Sequence, residues 1–347
     1  MKFFKFSLLL ILLAFYCAAY EIILYSDVHY DGTEYRGENI SVQQQRALKR
    51  NLASWEKELP ELLRAGNERC KEGVEFAVVL GDLIHGYFAS PSLHAQGLEK
   101  ILEILQTTLS SCPVYIVKGN HDVVGLHGRD AFQASARPYM HKSFKQPGIG
   151  VGAANYTLTK ENDLFIFFDC MEADLKFVEK TLKSAPEARH VFFFTHYPLI
   201  PSLASGGVSI VFADKDKERQ KLLELLAERK AMVFCGHIHR TTFSRYRSEE
   251  GEITQLSIFS LLPPKSPDFA IVTEGDGEAF FSLPKVVAAI EEQKANGKIL
   301  QEFQDKIVQY GDYGQAAGFT VLEINDEVKA NLHYKGAKEA SKVFKMK

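Results

Sequence analysis

The 347-residue chain is poor in cysteine. It has five, and their spacings match no zinc-ribbon pattern, which excludes a small domain stapled by zinc. It lacks an excess of either charge: 41 Lys and Arg stand against 44 Asp and Glu. A net charge of −3 excludes binding to nucleic acid by charge alone, and there is no other strong nucleic-acid signature. No apolar run reaches the roughly 20 residues of a comfortable membrane span, so a multi-pass membrane protein is excluded. No repeat of solenoid length and no low-complexity tract is visible. What remains is a chain with average hydrophobic and charged content, 46% and 24%, long enough to bury a large core.

Met1–Tyr20 reads as a secretory signal. Lys2 and Lys5 are its positive start, Ser7 to Phe15 its short apolar stretch, and the small residues of Cys17-Ala18-Ala19 set cleavage after Ala19. This predicts a secreted or periplasmic protein; the alternative is a membrane anchor through an uncleaved signal. The mature chain has no membrane span. Outside the cytosol its four cysteines are free to pair. Cys170 and Cys235 end apolar runs and read as core thiols. Cys70 and Cys112 lie near element ends and could pair, though this reading leaves them unpaired.

Short runs rich in Val, Ile and Phe predict buried strands at Ile22–Ser26, Phe76–Leu80, Val114–Val117, Leu164–Phe168, Val191–Thr195 and Met232–Cys235. Apolar spacings of three and four predict helices at Val42–Arg64, Leu93–Leu109, Ala173–Lys183 and Lys217–Glu228. Asn155–Thr159 and Leu164–Phe168 read as a hairpin. The alternation predicts an α/β protein with helices covering the sheet faces. Residues 20–260 form the expected main domain. Residues 261–347 read as an extension packed on it: a breaker-rich connection at 262–267, a charged helical stretch over Val286–Tyr310, and a terminal hairpin from Gly318–Ile324 and Val328–Tyr334.

Five motifs follow predicted strands: Asp27-Val28-His29, Gly81-Asp82, Gly119-Asn120-His121-Asp122, His196 and Gly236-His237-Ile238-His239. Ligands of open α/β sheets gather at the carboxyl ends of strands, so these exits predict one shared site. Imidazole and carboxylate donors without thiolates suit a pair of divalent metals, and a carboxylate has the two oxygens needed to reach both. Residues two apart in extended backbone face the same way, as Asp27 with His29 and His237 with His239.

In this order the blocks resemble the calcineurin-like metallophosphoesterase superfamily, over Asp27 to His239. The resemblance implies a four-layer α/β/β/α sandwich of two mixed sheets flanked by helices. It implies two divalent metals (Mn, Fe or Zn), with Asp27, His29 and His239 on the first, Asn120, His196 and His237 on the second, and Asp82 bridging them. A metal-bridging hydroxide would attack a small phosphate-ester substrate. His121 would meet the scissile phosphate, and Asp122 would orient His121 through a hydrogen bond. His85 stands where purple acid phosphatases carry a tyrosine iron ligand, and the arginines that protein phosphatases place beside these blocks are missing. The Gly-Asn-His-Asp block resembles the cyclic-nucleotide phosphodiesterase-like branch, which favours a phosphodiester. An extracytoplasmic phosphomonoesterase or nucleotidase, and a non-catalytic metal-binding member, are the alternatives. His85 and His127 lie beside blocks and could line the cleft. Tyr197 could stack on a substrate ring.

Overall fold

The structure, a computed structural model, describes residues 19–38, 40–125, 127–143, 154–204, 207–212, 215–264, 273–292, 295–337 and 339–347. Of the expected leader, residues 1–18 lie outside the described residues, as do residues 265–267 of the breaker-rich connection.

The chain begins with β1 (Tyr20–Tyr25), α1 (Val42–Lys71), β2 (Phe76–Val79), α2 (Pro91–Thr108), β3 (Val114–Ile116) and α3 (Gly128–Ser143). Next come the hairpin β4 (Tyr156–Lys160) and β5 (Asp163–Phe167), α4 (Leu175–Ser184), β6 (Val191–Phe194), and the small hairpin β7 (Ser202–Ala204) and β8 (Gly207–Ser209). Then follow α5 (Asp216–Glu228), β9 (Met232–Cys235), β10 (Thr242–Arg247), β11 (Glu252–Ser257) and β12 (Thr273–Gly275). The chain continues through α6 (Gly277–Phe281), α7 (Pro284–Glu291), α8 (Ala295–Glu302), β13 (Ile307–Asp312), β14 (Gly318–Ile324), β15 (Val328–Tyr334) and β16 (Lys342–Lys345).

Two mixed sheets result. One runs β16-β15-β14-β1-β2-β3, the other β12-β13-β10-β11-β9-β6-β5-β4. β1, β2 and β3 are mutually parallel, and so are β5, β6, β9 and β11. Alternate residues of the second sheet point into different cores. Phe165, Phe167, Phe192, Phe194, Met232 and Phe234 pack toward the first sheet, while Leu164, Ile166, Val191, Phe193 and Val233 pack with leucines of α5. That period of two is what a strand buried on both faces requires. With α1, α2 and α3 against the first sheet, the expected four layers are present.

The helices begin where local chemistry says they should. Ser41 accepts the Gln44 N–H while Gln44 Oε1 accepts the Ser41 N–H, closing a capping box on α1. Ser90 caps α2, with Pro91 at its first position, where no N–H is needed. α1 runs to Lys71, beyond the expected Arg64, because Gly66 and Cys70 of its last turns are buried against the sheet.

Two expectations are corrected. The stretch Val286–Tyr310 is not one helix: α7 and α8 are followed by β13, which pairs with β10 and β12. Ile307 and Tyr310 fit a spacing of three, but both are buried in the sheet, and this pairing outweighs the helical pattern. Cys70 and Cys112 are joined in a disulfide, their Cα atoms 5.5 Å apart, while Cys170 and Cys235 are free and buried. α1 and α2 cover the same sheet and end side by side, which brings together cysteines 42 residues apart. Closing a loop of that length should stabilise the fold by about 2–4 kcal/mol. Cys112→Ser should therefore lower the urea midpoint by a corresponding amount; an unchanged midpoint would refute this.

The C-terminal strands lie within the sheets. β14 is the antiparallel neighbour of β1, with Tyr20 opposite Ile324, and β14 and β15 pair with Ile324 opposite Val328. Among the described residues no helix is long and apolar enough to cross a membrane.

Candidate metal centre

β1, β2, β3, β6 and β9 all end at one edge of the sandwich, and each hands its following loop a motif. Backbone bonds lace the first two exits together: Asp27 N–H donates to the Gly81 carbonyl (3.2 Å) and His29 N–H to that of Asp82 (2.8 Å). The turns are tight. Asp27, His29, Asp82, His237 and His239 all have φ between 49° and 70°. Each such residue other than glycine costs about 1–3 kcal/mol, and strain of this kind clusters at functional sites. A Cβ on Gly119 would strike Asp82, and one on Gly236 would strike Ser26 and Asp27.

The seven expected ligands come together in two adjoining groups. Donor atoms of Asp27, His29, Asp82 and His239 lie within 4.8 Å of one another, and so do those of Asp82, His196 and His237. Asn120 joins the second group, its Oδ1 3.1 Å from His196 Nε2 and 3.0 Å from His237 Nδ1. Asp82 belongs to both: Oδ1 is 3.2 Å from His196 Nε2 and Oδ2 is 3.6 Å from His29 Nε2. In the first group His239 Nε2 is 3.2 Å from Asp27 Oδ1 and 3.1 Å from His29 Nε2.

These donors fit cations. His196 Nδ1–H donates to the Leu80 carbonyl (2.7 Å), so a neutral ring turns a bare Nε2 toward Asn120 Oδ1 and Asp82 Oδ1. Three lone-pair atoms then converge with no proton between them, an arrangement that a positive ion stabilises. Without an ion a proton takes that place. Burial alone would push His196 down, but the carboxylates of Asp82 and Asp27 hold it up at about 9. Burial likewise raises the carboxyls of Asp27 and Asp82, yet their imidazole neighbours, His239 and His196 first, keep both below the usual range. Burial pushes His29 well down, and His237 to about 3.

His121 and Asp122 are placed differently from one another. The backbone N–H of His121 donates to Asp82 Oδ1 (2.8 Å), and its Nδ1 meets the His85 carbonyl (2.7 Å). The expected bond to Asp122 is therefore replaced by one that His121 gives to a backbone carbonyl. The Asp122 carboxylate instead accepts N–H groups of Gly119 (2.8 Å) and Ile84 (3.2 Å), tying the loop after β3 to the loop after β2. Burial, with Asp82 nearby, pushes Asp122 up to about 7. His94 is buried, with Nε2 against the Asp122 carbonyl (2.9 Å).

His85 does line the cleft, as its place beside the Gly-Asp block suggested. Its Nδ1 is 3.4 Å from His29 Nδ1, and with His29 and His121 it makes a third group of converging imidazoles. His127 is exposed. Tyr197 sets its ring against the edge of His237, with centroids 4.0 Å apart. A cavity of about 1140 Å³ opens beside His85 and His121, and another of about 490 Å³ beside His237 and Tyr197.

The profile of a family described as calcineurin-like phosphoesterase matches residues 20–241, from β1 to just past His239. The serine/threonine-protein phosphatase CPPED1 of Bos taurus is 27% identical over 182 residues, 50% of this chain; the match spans little more than half, 56%, of that relative. A purple acid phosphatase from yellow lupin (Lupinus luteus) seeds superposes with a TM-score of 0.57 at 12% identity, over 94% of this chain and 53% of its own. A dimetal phosphatase from Danio rerio does so with a TM-score of 0.56 at 14% identity, over 94% of this chain and 98% of its own. At such identities the likeness is one of fold.

Proposed function

Because the chain belongs to the calcineurin-like phosphoesterase family, we propose that it is an exported enzyme hydrolysing phosphate esters with two divalent ions, Mn, Fe or Zn. Asp27, His29 and His239 would hold one ion and Asn120, His196 and His237 the other, with Asp82 between them. The observation that carries this reading is the pair of donor groups sharing one buried carboxylate. When bound, such a pair supplies Lewis-acid charge for phosphoryl oxygens and acidifies a water toward neutrality. The protein's own groups do the rest. The donors, four of them buried and three partly so, are already crowded together, so little ordering is needed on loading. His121, anchored through Nδ1 to a carbonyl, keeps Nε2 for exchanging a proton with the departing alcohol. The Cys70–Cys112 disulfide supports an oxidising, extracytoplasmic compartment.

A phosphodiester is the favoured substrate, because there is room for an organic arm on each side of the centre. A phosphomonoester is the second reading, favoured by the name of the bovine relative. The test is hydrolysis of bis(p-nitrophenyl) phosphate and of p-nitrophenyl phosphate by residues 20–347 with manganese, then with chelator. Chelator-sensitive turnover, faster on the diester, is expected. A faster monoester would favour the second reading, and turnover indifferent to chelator would overturn both.

A further inference from the structure

The wall of the larger cavity holds two arginines with no direct ion pair among the described residues. Arg46 and Arg50 of α1 line it together with His85 and His121, and no acidic residue among the described residues does. Arg46 is exposed and has no ion pair among the described residues. Arg50 is half-buried, and it is held in place without being paired. Its Nε and Nη2 donate to Asn51 Oδ1 (3.2 and 3.1 Å), leaving Nη1 over. Asn51 is fully buried and passes the connection on, its Nδ2 donating to Asp31 Oδ2 (3.0 Å). The Asp31 carboxylate is in turn taken up by both Nε and Nη2 of Arg36. A neutral amide thus stands between Arg50 and Asp31, fixing the guanidinium without a direct ion pair. Leaving a guanidinium partly buried and unpaired is costly unless an anion completes it. Arginine is suited to that task, since its planar fork meets phosphate through two parallel bonds. The first turn of α1 lines the same wall, and the positive end of a 30-residue helix adds to the attraction. Val42 and Tyr87, both with large exposed apolar surface, complete the wall and offer a place for a planar or apolar body.

We propose that this cavity is a second anion site beside the metal centre, and that the substrate is a small phosphate ester whose alcohol arm carries a further, terminal phosphate held by Arg46 and Arg50. The identity of the site as a substrate subsite rests on the dimetal phosphoesterase reading; the binding of the terminal phosphate does not.

The experiment has two arms. In the first, metal-free full-length protein in chelator is titrated calorimetrically with thymidine 5′-monophosphate and with thymidine. The monophosphate should bind at least about tenfold tighter, and Arg46→Gln, at an exposed position that the fold tolerates, should erase most of the difference. In the second, manganese-loaded protein is given dithymidine monophosphate with and without a 5′-terminal phosphate. kcat/KM should favour the phosphorylated form by about tenfold or more, and the ratio should fall toward one in Arg46→Gln and Arg50→Gln. Arginine-dependent binding without any turnover would sink the dimetal reading while upholding the anion site. Turnover indifferent to the terminal phosphate, with equal binding of nucleoside and nucleotide, would overturn the anion site and leave the dimetal reading standing. A phosphoserine peptide hydrolysed in preference to both dinucleotides would also overturn it.

Discussion

Asp82→Asn is expected to give a folded protein that retains fewer than two divalent ions per chain and hydrolyses the chromogenic esters at about a thousandth of the wild-type rate or less. Asp82 is buried, and its two oxygens face different groups, Oδ1 toward His196 and Oδ2 toward His29. Asparagine removes the charge shared by both groups and turns an amide N–H₂ toward one of them, a donor where a cation should sit. Oδ1 also holds the His121 N–H. Asparagine can keep that bond through its own oxygen, so the chain should still fold. Elemental analysis after dialysis against manganese, run beside the rate assay, checks both parts. Wild-type metal content together with a wild-type rate would remove Asp82 from the centre.

His121→Ala should behave in the opposite way. Metal content should stay at the wild-type value while kcat falls by roughly 10²–10⁴, the range for losing a positioned proton donor. The reason is local. His121 lines the larger cavity, and its Nδ1 is occupied by the His85 carbonyl. Only Nε2 is left for a ligand, and alanine deletes it without touching the donors of Asp27, Asp82 or the other histidines. The third imidazole group gives a sharp alternative, because His121 converges there with His29 and His85. If the alanine variant loses an ion, His121 is a ligand and its role in proton transfer must be given up.

The motif blocks were legible because each interrupts an apolar run at a point where a strand must stop. Gly-Asp, Gly-Asn-His-Asp and Gly-His-x-His carry glycine where loops approach closely, and that signal is local. What could not be read depends on contacts between distant residues. The hairpin of β14 with β15 was legible, but no pattern in Gly318–Ile324 names β1 as its other partner. β13 was taken for helix because Ile307 and Tyr310 satisfy a spacing of three as well as a buried strand does. Cys70 and Cys112 pair only because two helices end side by side. The role expected of Asp122 went to a backbone carbonyl, which a sequence does not display. Nothing in the spacing of residues along α1 singles out Arg50. Its meaning lies in what Asn51, Asp31 and Arg36 do to it, and those residues are brought together by packing rather than by spacing.

The place of β14 has a consequence for how the molecule is made. β1 ends at Tyr25, and its antiparallel partner begins only at Gly318. At about 5–20 residues per second, the strand waits on the order of 15–60 s with one flank open. Asp27 and His29 leave directly from that strand. A nascent chain that already contains every block of the centre therefore still lacks the strand that covers the open flank of β1. The first sheet is thus completed only after the residues of every block have been made.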